Sequence, residues 1–150
     1  MPQEKITSFT GKYYFLSNFY PCIINYEGID YTSSEHAYVA AKTLDVDIKK
    51  YISNIKTPGQ VKKFGISLQL REDWEEVKVS EMRKILEIKF SPNRIDEPLL
   101  SMLEETAPSV LVEGNTWGDV FWGQCPIGNG KNMLGKLLMN LRDDISRKFG

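Results

Sequence analysis

An α+β fold, compact and mainly helical with a small antiparallel sheet, is predicted for residues 1–150 as a single domain, and three observations predict it. Short β-branched and aromatic runs occupy the first third of the chain. From Ser33 onward, helix caps and apolar periodicity take over. No repeat, low-complexity tract or Gly/Ser/Pro-rich linker interrupts the 150 residues.

The strand candidates are Tyr13 to Leu16, Cys22 to Tyr26 and Ile29 to Thr32, and Glu27-Gly28 supplies a hairpin turn between the last two. Ser33-Ser34 caps a helix beginning at Glu35, with Ala37, Ala40 and Ala41 as strong helix formers inside it. Thr57-Pro58 is a cap followed by proline at the first helical position, opening a helix through about Leu68. Trp74 to Phe90 is the best amphipathic segment, with Val77, Met82, Ile85, Leu86 and Ile88 apolar among charges. Asp96 is expected to cap a short helix carrying Leu99, Leu100 and Leu103. Ser109 to Val112 reads as a strand and Gly114 to Gly130 as loop. A last helix runs near Lys131 to Phe149 on the stripe Leu134, Leu137, Leu138 and Leu141.

Composition narrows the function classes. A hydrophobic fraction of 41% is enough for one core, and a chain of this length buries roughly 70% of its unfolded surface. Nineteen Lys and Arg balance twenty Asp and Glu, whereas a protein that coats nucleic acid usually carries a basic excess. A single nucleotide, or one modified base on a strand, fits the balance better than a long tract. Cys22 and Cys125 allow at most one bridge, and with the lone His36 they make a poor zinc set. No metal and no cofactor are expected. The stretch Met1 to Lys12 lacks the apolar run of a signal peptide, and nothing approaches a membrane span. The expectation is a cytoplasmic protein with no membrane association and no obligate protein partner.

Three segments carry chemistry-bearing residues. On a helix from Glu35, the residues Glu35, Tyr38 and Lys42 lie within about 60° of one another. A carboxylate, a phenol and an amine sharing one face form either a solvated stripe or the wall of a site. In Glu113-Gly-Asn-Thr-Trp-Gly-Asp-Val-Phe-Trp-Gly123, two tryptophans, a phenylalanine and Asp119 stand among glycines. Trp117 and Trp122 either plug the core or offer flat faces for stacking a base. In Phe15-Leu-Ser-Asn-Phe-Tyr-Pro21, Asn18 either caps a turn or reads a sugar hydroxyl or base edge. Gly128 to Gly135 leads into a helix and is a glycine-rich entry turn or an anion cradle. There is no G-x-S-x-G elbow, H-E-x-x-H or dinucleotide fingerprint. His36 is expected to pack or hydrogen-bond near the helix start.

In order along the chain, Phe15-Leu-Ser-Asn-Phe-Tyr-Pro, Tyr31-Thr-Ser-Ser-Glu-His-Ala-Tyr with Ala41-Lys42, Leu70-Arg-Glu-Asp-Trp-Glu-Glu-Val-Lys with Met82, Lys89-Phe90, Leu99-Leu100, the Glu113 to Gly123 block and Gly130-Lys-Asn-Met-Leu-Gly-Lys-Leu-Leu-Met with Arg142 resemble the NADAR, or YbiA-like, family over about residues 13 to 142. The resemblance implies a YbiA-like α+β fold and an N-glycosidase that hydrolyses a ribosyl C1′–N bond. Two substrate classes follow from it: ADP-ribosylated guanine in nucleic acid, and ribosylamino-pyrimidine phosphates of riboflavin biosynthesis. The partner is thus a small ribosylated nucleotide or a single ADP-ribosylated base on a nucleic acid. Glu35 and Asp119 are the two acids in the family blocks, and Lys42 matches the position of a lysine that forms a Schiff base. Trp74, Trp117 and Trp122 would stack rings, Asn18 and Tyr38 would bind sugar hydroxyls, and Arg71 would hold a phosphate. The alternative is a nucleotide sensor that binds ADP-ribose without cleaving it.

Overall fold

The structure, a computed structural model, describes residues 4–149. The elements are β1 (Lys5–Ile6), β2 (Pro21–Tyr26), β3 (Ile29–Ser33), α1 (Ser34–Ala41), α2 (Val46–Ser53), α3 (Pro58–Ile66), α4 (Trp74–Lys89), α5 (Leu99–Glu105), β4 (Val110–Leu111) and α6 (Met133–Phe149). Helices dominate and the sheets are small, as the fold class requires. The chain divides into two compact units, one of residues Asn18–Ser91, the other of Met1–Ser17 with Pro92–Gly150.

In the first unit, β2 and β3 form the antiparallel hairpin read from the sequence. Its turn is Glu27-Gly28, both at positive φ, 52° and 85°, the geometry that matches strand twist in a two-residue hairpin. Burial alternates along β2, so Cys22, Ile24 and Tyr26 point inward. Ser33 then caps α1 by accepting the His36 N–H. The helix α1 is the axle of this unit, packed against both strands and against α2, α3 and α4. Ala37, Val39, Ala40 and Ala41 are at most 1% exposed, and their small side chains let neighbours approach from every side. Thr57 caps α3 with Pro58 in its first turn, as the sequence indicates. The helix α2, capped by Asp45, went unread because it is short and mostly polar, with only Ile52 fully buried among its apolar residues.

In the second unit, β1 pairs with β4 in parallel. The strand β4 lies within the Ser109 to Val112 strand read from the sequence, whereas its partner β1 has no sequence signal, since two residues leave no period to read. Two expectations are corrected here. Tyr13 to Leu16 is not a strand but part of a 3₁₀ turn over Gly11–Leu16, entered at positive φ by Gly11 and closed by Ser17 N–H donating to Tyr14 O. Local i to i+3 bonds claim the backbone that a sheet would need. Asp96 does not cap α5: the residue before that helix is Pro98, with no side-chain cap, and Asp96 accepts from Arg94 at 3.1 Å. Leu99 and Leu103 are buried from α5, and Leu134, Leu137, Leu138 and Leu141 from α6.

Candidate active site

The helix α1 decides the character of the Glu35 face. A solvated stripe needs water along it, yet within α1 only Glu35 is not fully buried, and Lys42 at the C-cap is half-buried. Tyr38 is 7% exposed and its ring meets Trp74 at 5.3 Å, tilted by 55°. The Lys42 ammonium lies 5.5 Å from the centre of the Tyr38 ring. The first turn of α4 thus brings Trp74 onto the middle of α1, and the lysine sits over the same aromatic surface.

Burial pushes the Lys42 amine below its ordinary pKa. The Glu35 carboxylate pulls it partly back, and the charges of Lys62 and Lys78 lower it again. A lysine held in this way carries a larger neutral, nucleophilic fraction than one in water. Space around it is limited by Gly65 of α3, where a Cβ would lie 3.1 Å from both Val39 methyls and 3.5 Å from the Lys42 amine.

Asn18 enters beside the start of the same helix, its carbonyl accepting the Glu35 N–H at 3.0 Å. Its side-chain Nδ2 is 3.7 Å from the Met82 sulfur, and its Oδ1 is buried with no hydrogen-bond partner. A buried acceptor without a donor carries a desolvation cost, which a ligand hydroxyl would relieve.

Arg71 is engaged within the protein. Its Nε and Nη2 donate to Asp73 at 2.6 and 3.0 Å, and its Nη1 donates to Glu81 at 3.3 Å and to the Ala41 carbonyl at 3.5 Å. Its own N–H donates to the Lys42 carbonyl at 2.8 Å. Arg71 therefore clasps the C-terminal end of α1, and Asp73, ahead of α4, faces the guanidinium rather than capping that helix. Glu81, 6% exposed, extends the clasp by accepting the Tyr26 hydroxyl, and burial followed by that bond drives the phenol far above its usual range. Sequence reasoning missed Glu81, Lys62, Lys78 and Gly65. A signal existed for Glu81, which precedes Met82 and stands four residues before Ile85 on the apolar stripe of α4.

His36 is fully buried in α1 and serves the core. Its Nε2 lies 2.8 Å from the Ile55 carbonyl and its Nδ1 2.6 Å from Ser33 Oγ. Nε2–H donating to the carbonyl and Nδ1 accepting from the hydroxyl satisfies a neutral ring, and burial lowers its pKa accordingly.

The remaining sequence candidates lie in the second unit, on the loop before α6. Trp117 is 62% exposed, so it does not plug a core. Trp122 is half-buried and meets Phe121 edge-on at 4.8 Å. Asp119 is half-buried, and its Oδ1 accepts the N–H groups of Phe121 and Trp122 at 3.2 and 2.9 Å. Asn115 brackets the same turn, donating to the Asp119 carbonyl and accepting its N–H. Carbonyls of this loop take up the N–H of Lys131 just ahead of α6 and the first two of the helix: Lys131 to Val120, Met133 to Phe121 and Leu134 to Trp122, at 2.7 to 3.0 Å. The Gly128 to Gly135 segment is therefore an entry turn in which the N–H groups of Gly128 and of Lys131 to Leu134 bond within the protein. Asn132 locks it, donating to the Leu111 carbonyl and accepting from the Glu113 N–H, both at 2.9 Å. At Gly123 and Gly135 a Cβ would collide with the carbonyls of Glu113 and Leu111, so glycine there permits backbone to meet backbone.

The NADAR domain family model matches residues 7–146. The chain is 39% identical over 132 residues to the N-glycosidase YbiA of Escherichia coli, covering 87% of this chain and 80% of that protein. A riboflavin biosynthesis protein of Vibrio vulnificus is 36% identical over 133 residues, 87% of this chain but 35% of that longer protein. The NMR structure of E. coli YbiA superimposes with a TM-score of 0.83 at 35% identity, covering 99% of this chain and 89% of that one.

Proposed function

Because this chain belongs to the NADAR family, we propose that it hydrolyses the C1′–N bond of a ribosylated base, with Glu35 and Lys42 performing the chemistry. The chain is an enzyme of the N-glycosyl hydrolase class, the class for which its relatives are named. The proposed substrates are ADP-ribosylated guanine in nucleic acid and ribosylamino-pyrimidine phosphates. The observation that carries the proposal is the desolvated Lys42 amine under the influence of Glu35 and against the Tyr38–Trp74 rings.

Cleavage builds positive charge on the sugar, and the Glu35 carboxylate stabilises it. When the ribose ring opens, O4′ takes a proton and C1′ becomes an iminium to the base. The neutral Lys42 amine adds to C1′, and the base leaves with a proton. The lysine imine that remains is hydrolysed by water, returning the amine and a free sugar aldehyde. Asn18 Oδ1 and Tyr38 take sugar hydroxyls, and Trp74 supplies a ring face. Trp117, Asp119 and Trp122 carry the roles implied by the family blocks, two stacking rings and a second carboxylate. Arg71 supports the reaction by holding the end of α1, with a phosphate contact as its second proposed role.

Release of free base is measured from ADP-ribosylated guanosine and from a ribosylamino-pyrimidine phosphate, with borohydride added during turnover. An adduct on Lys42, absent in Lys42→Ala, is expected. Base release by Lys42→Ala at the wild-type rate removes the lysine from the mechanism, and no release from either substrate by the wild type leaves a binding module.

A further inference from the structure

Charge along this near-neutral chain is unevenly distributed. Between Asp47 and Glu72 stand Lys49, Lys50, Lys56, Lys62, Lys63 and Arg71, with no acid among them. Lys49 pairs with Glu27 at 3.7 Å and Arg71 with Asp73 and Glu81. Lys50, Lys56 and Lys63 are exposed on α2, the following loop and α3. The nearby acids Asp45, which caps α2, and Asp47 stand at the opposite end of that helix from Lys56, roughly 9 to 12 Å from its last residue along the axis, with Asp47 one turn before Lys50.

A cavity of about 350 Å³ opens on this same face, lined by Tyr51, Asn54, Ile55, Lys56, Gln60 and Phe64. Tyr51 is 60% exposed and packs on Phe64 at 5.1 Å with a 48° tilt, so one flat ring is presented outward and held from behind. Amides and a lysine share the hollow with that ring. The volume lies within the range of small-ligand sites. The helix α3 borders both the basic run and the candidate active site: a Cβ at its Gly65 would lie 3.5 Å from the Lys42 amine, and the charge of its Lys62 lowers the Lys42 pKa.

We propose that the α2–α3 face is a docking track for single-stranded nucleic acid, with Lys50, Lys56 and Lys63 on the phosphates and a base stacked on Tyr51. A lysine row without acids matches a polyphosphate backbone, and outward aromatic faces interleaved with lysines suit unpaired bases. A duplex keeps its bases stacked and offers no free ring face. An anionic vesicle would meet the lysines but has no use for a hollow lined by amides. The track would deliver a modified base to Lys42, and to that extent the inference rests on the proposed glycosidase activity; strand binding itself does not.

The full chain is titrated against a fluorescent single-stranded oligonucleotide, a duplex of the same sequence and vesicles of phosphatidylserine. The single strand is expected to bind most tightly, with affinity falling steeply as salt rises. Lys50→Glu/Lys56→Glu/Lys63→Glu is expected to weaken strand binding at least tenfold and flatten the salt dependence, leaving base release from a mononucleotide substrate unchanged. Tyr51→Ala is expected to weaken it about tenfold with little change in salt dependence. Strand binding at wild-type strength by the triple variant, or vesicles or duplex bound as tightly as the strand, overturns the proposal. Strand binding without base release from any substrate leaves the track standing and removes the glycosidase.

Discussion

The Glu35 helix and the tryptophan loop carry similar residue types, yet they treat their polar side chains in opposite ways. On α1, burial surrounds a lysine with apolar groups, so that its charge state responds to Glu35, Lys62 and Lys78. On the loop, Asp119, Asn115 and Asn132 direct side-chain atoms at the backbone. Chemistry-bearing residue types are therefore not equivalent evidence of a site: what matters is which of their atoms are already bonded to the protein.

The sharpest way to break this contrast is Lys42→Ala. It is expected to lower base release by about 10³-fold or more and to abolish borohydride trapping, while thermal unfolding shows no loss of stability, since a desolvated amine is removed. Glu35→Gln comes next, with turnover falling about 10²–10³-fold. Its second readout is the pH profile. Glu35 raises the pKa of Lys42, so removing its charge moves the ascending limb of residual activity to lower pH. A limb that stays in place uncouples the two groups.

In the loop, stability carries the larger effect. Asn132→Ala removes one buried and one part-buried hydrogen bond at a residue with φ of 50°, and a loss of about 2–3 kcal/mol is expected from denaturant unfolding. Asp119 tests both sides. An amide oxygen still accepts from Phe121 and Trp122, so Asp119→Asn is expected to leave the unfolding midpoint unchanged while turnover falls about 100-fold. Asp119→Ala adds a destabilisation of about 1–2 kcal/mol. Full turnover by Asp119→Asn makes the carboxylate a turn-former alone.

The smallest effect belongs to His36. Its folded pKa lies below the ordinary 6.5, so its contribution to stability is complete above that value. As pH falls through 6.5 toward the folded pKa, stability declines by up to about 1.4 kcal/mol per pH unit. Acid titration of the unfolding midpoint measures it, and His36→Gln is expected to flatten the slope.

Much of this was legible in the chain itself. The Glu27-Gly28 turn, the Thr57-Pro58 start and the long period from Trp74 are local signals, and each holds in the structure. The 100° spacing brought Glu35, Tyr38 and Lys42 to one face, but whether water covers that face is set by the five elements packed on α1, which no window along the chain contains. Arg71 shows the same limit. Its partners Asp73 and Glu81 are close in sequence, but the Ala41 and Lys42 carbonyls it holds are thirty and twenty-nine positions away. The strand over Ser109 to Val112 was readable and is β4, whereas β1, two residues long, falls below any periodicity.

The clasp between Arg71 and the end of α1 has a practical consequence for protein engineering. One peptide N–H joins the residues at which the chain leaves α1 and returns to α4, so everything from Thr43 to Leu70 is an excursion with both ends pinned. A different helical pair grafted between the same two anchors would have to restore the buried Ile52 and Val61, the Ile55 carbonyl that faces His36 and a glycine against Val39. The outer face of that segment could then be changed while Lys42 keeps its seat.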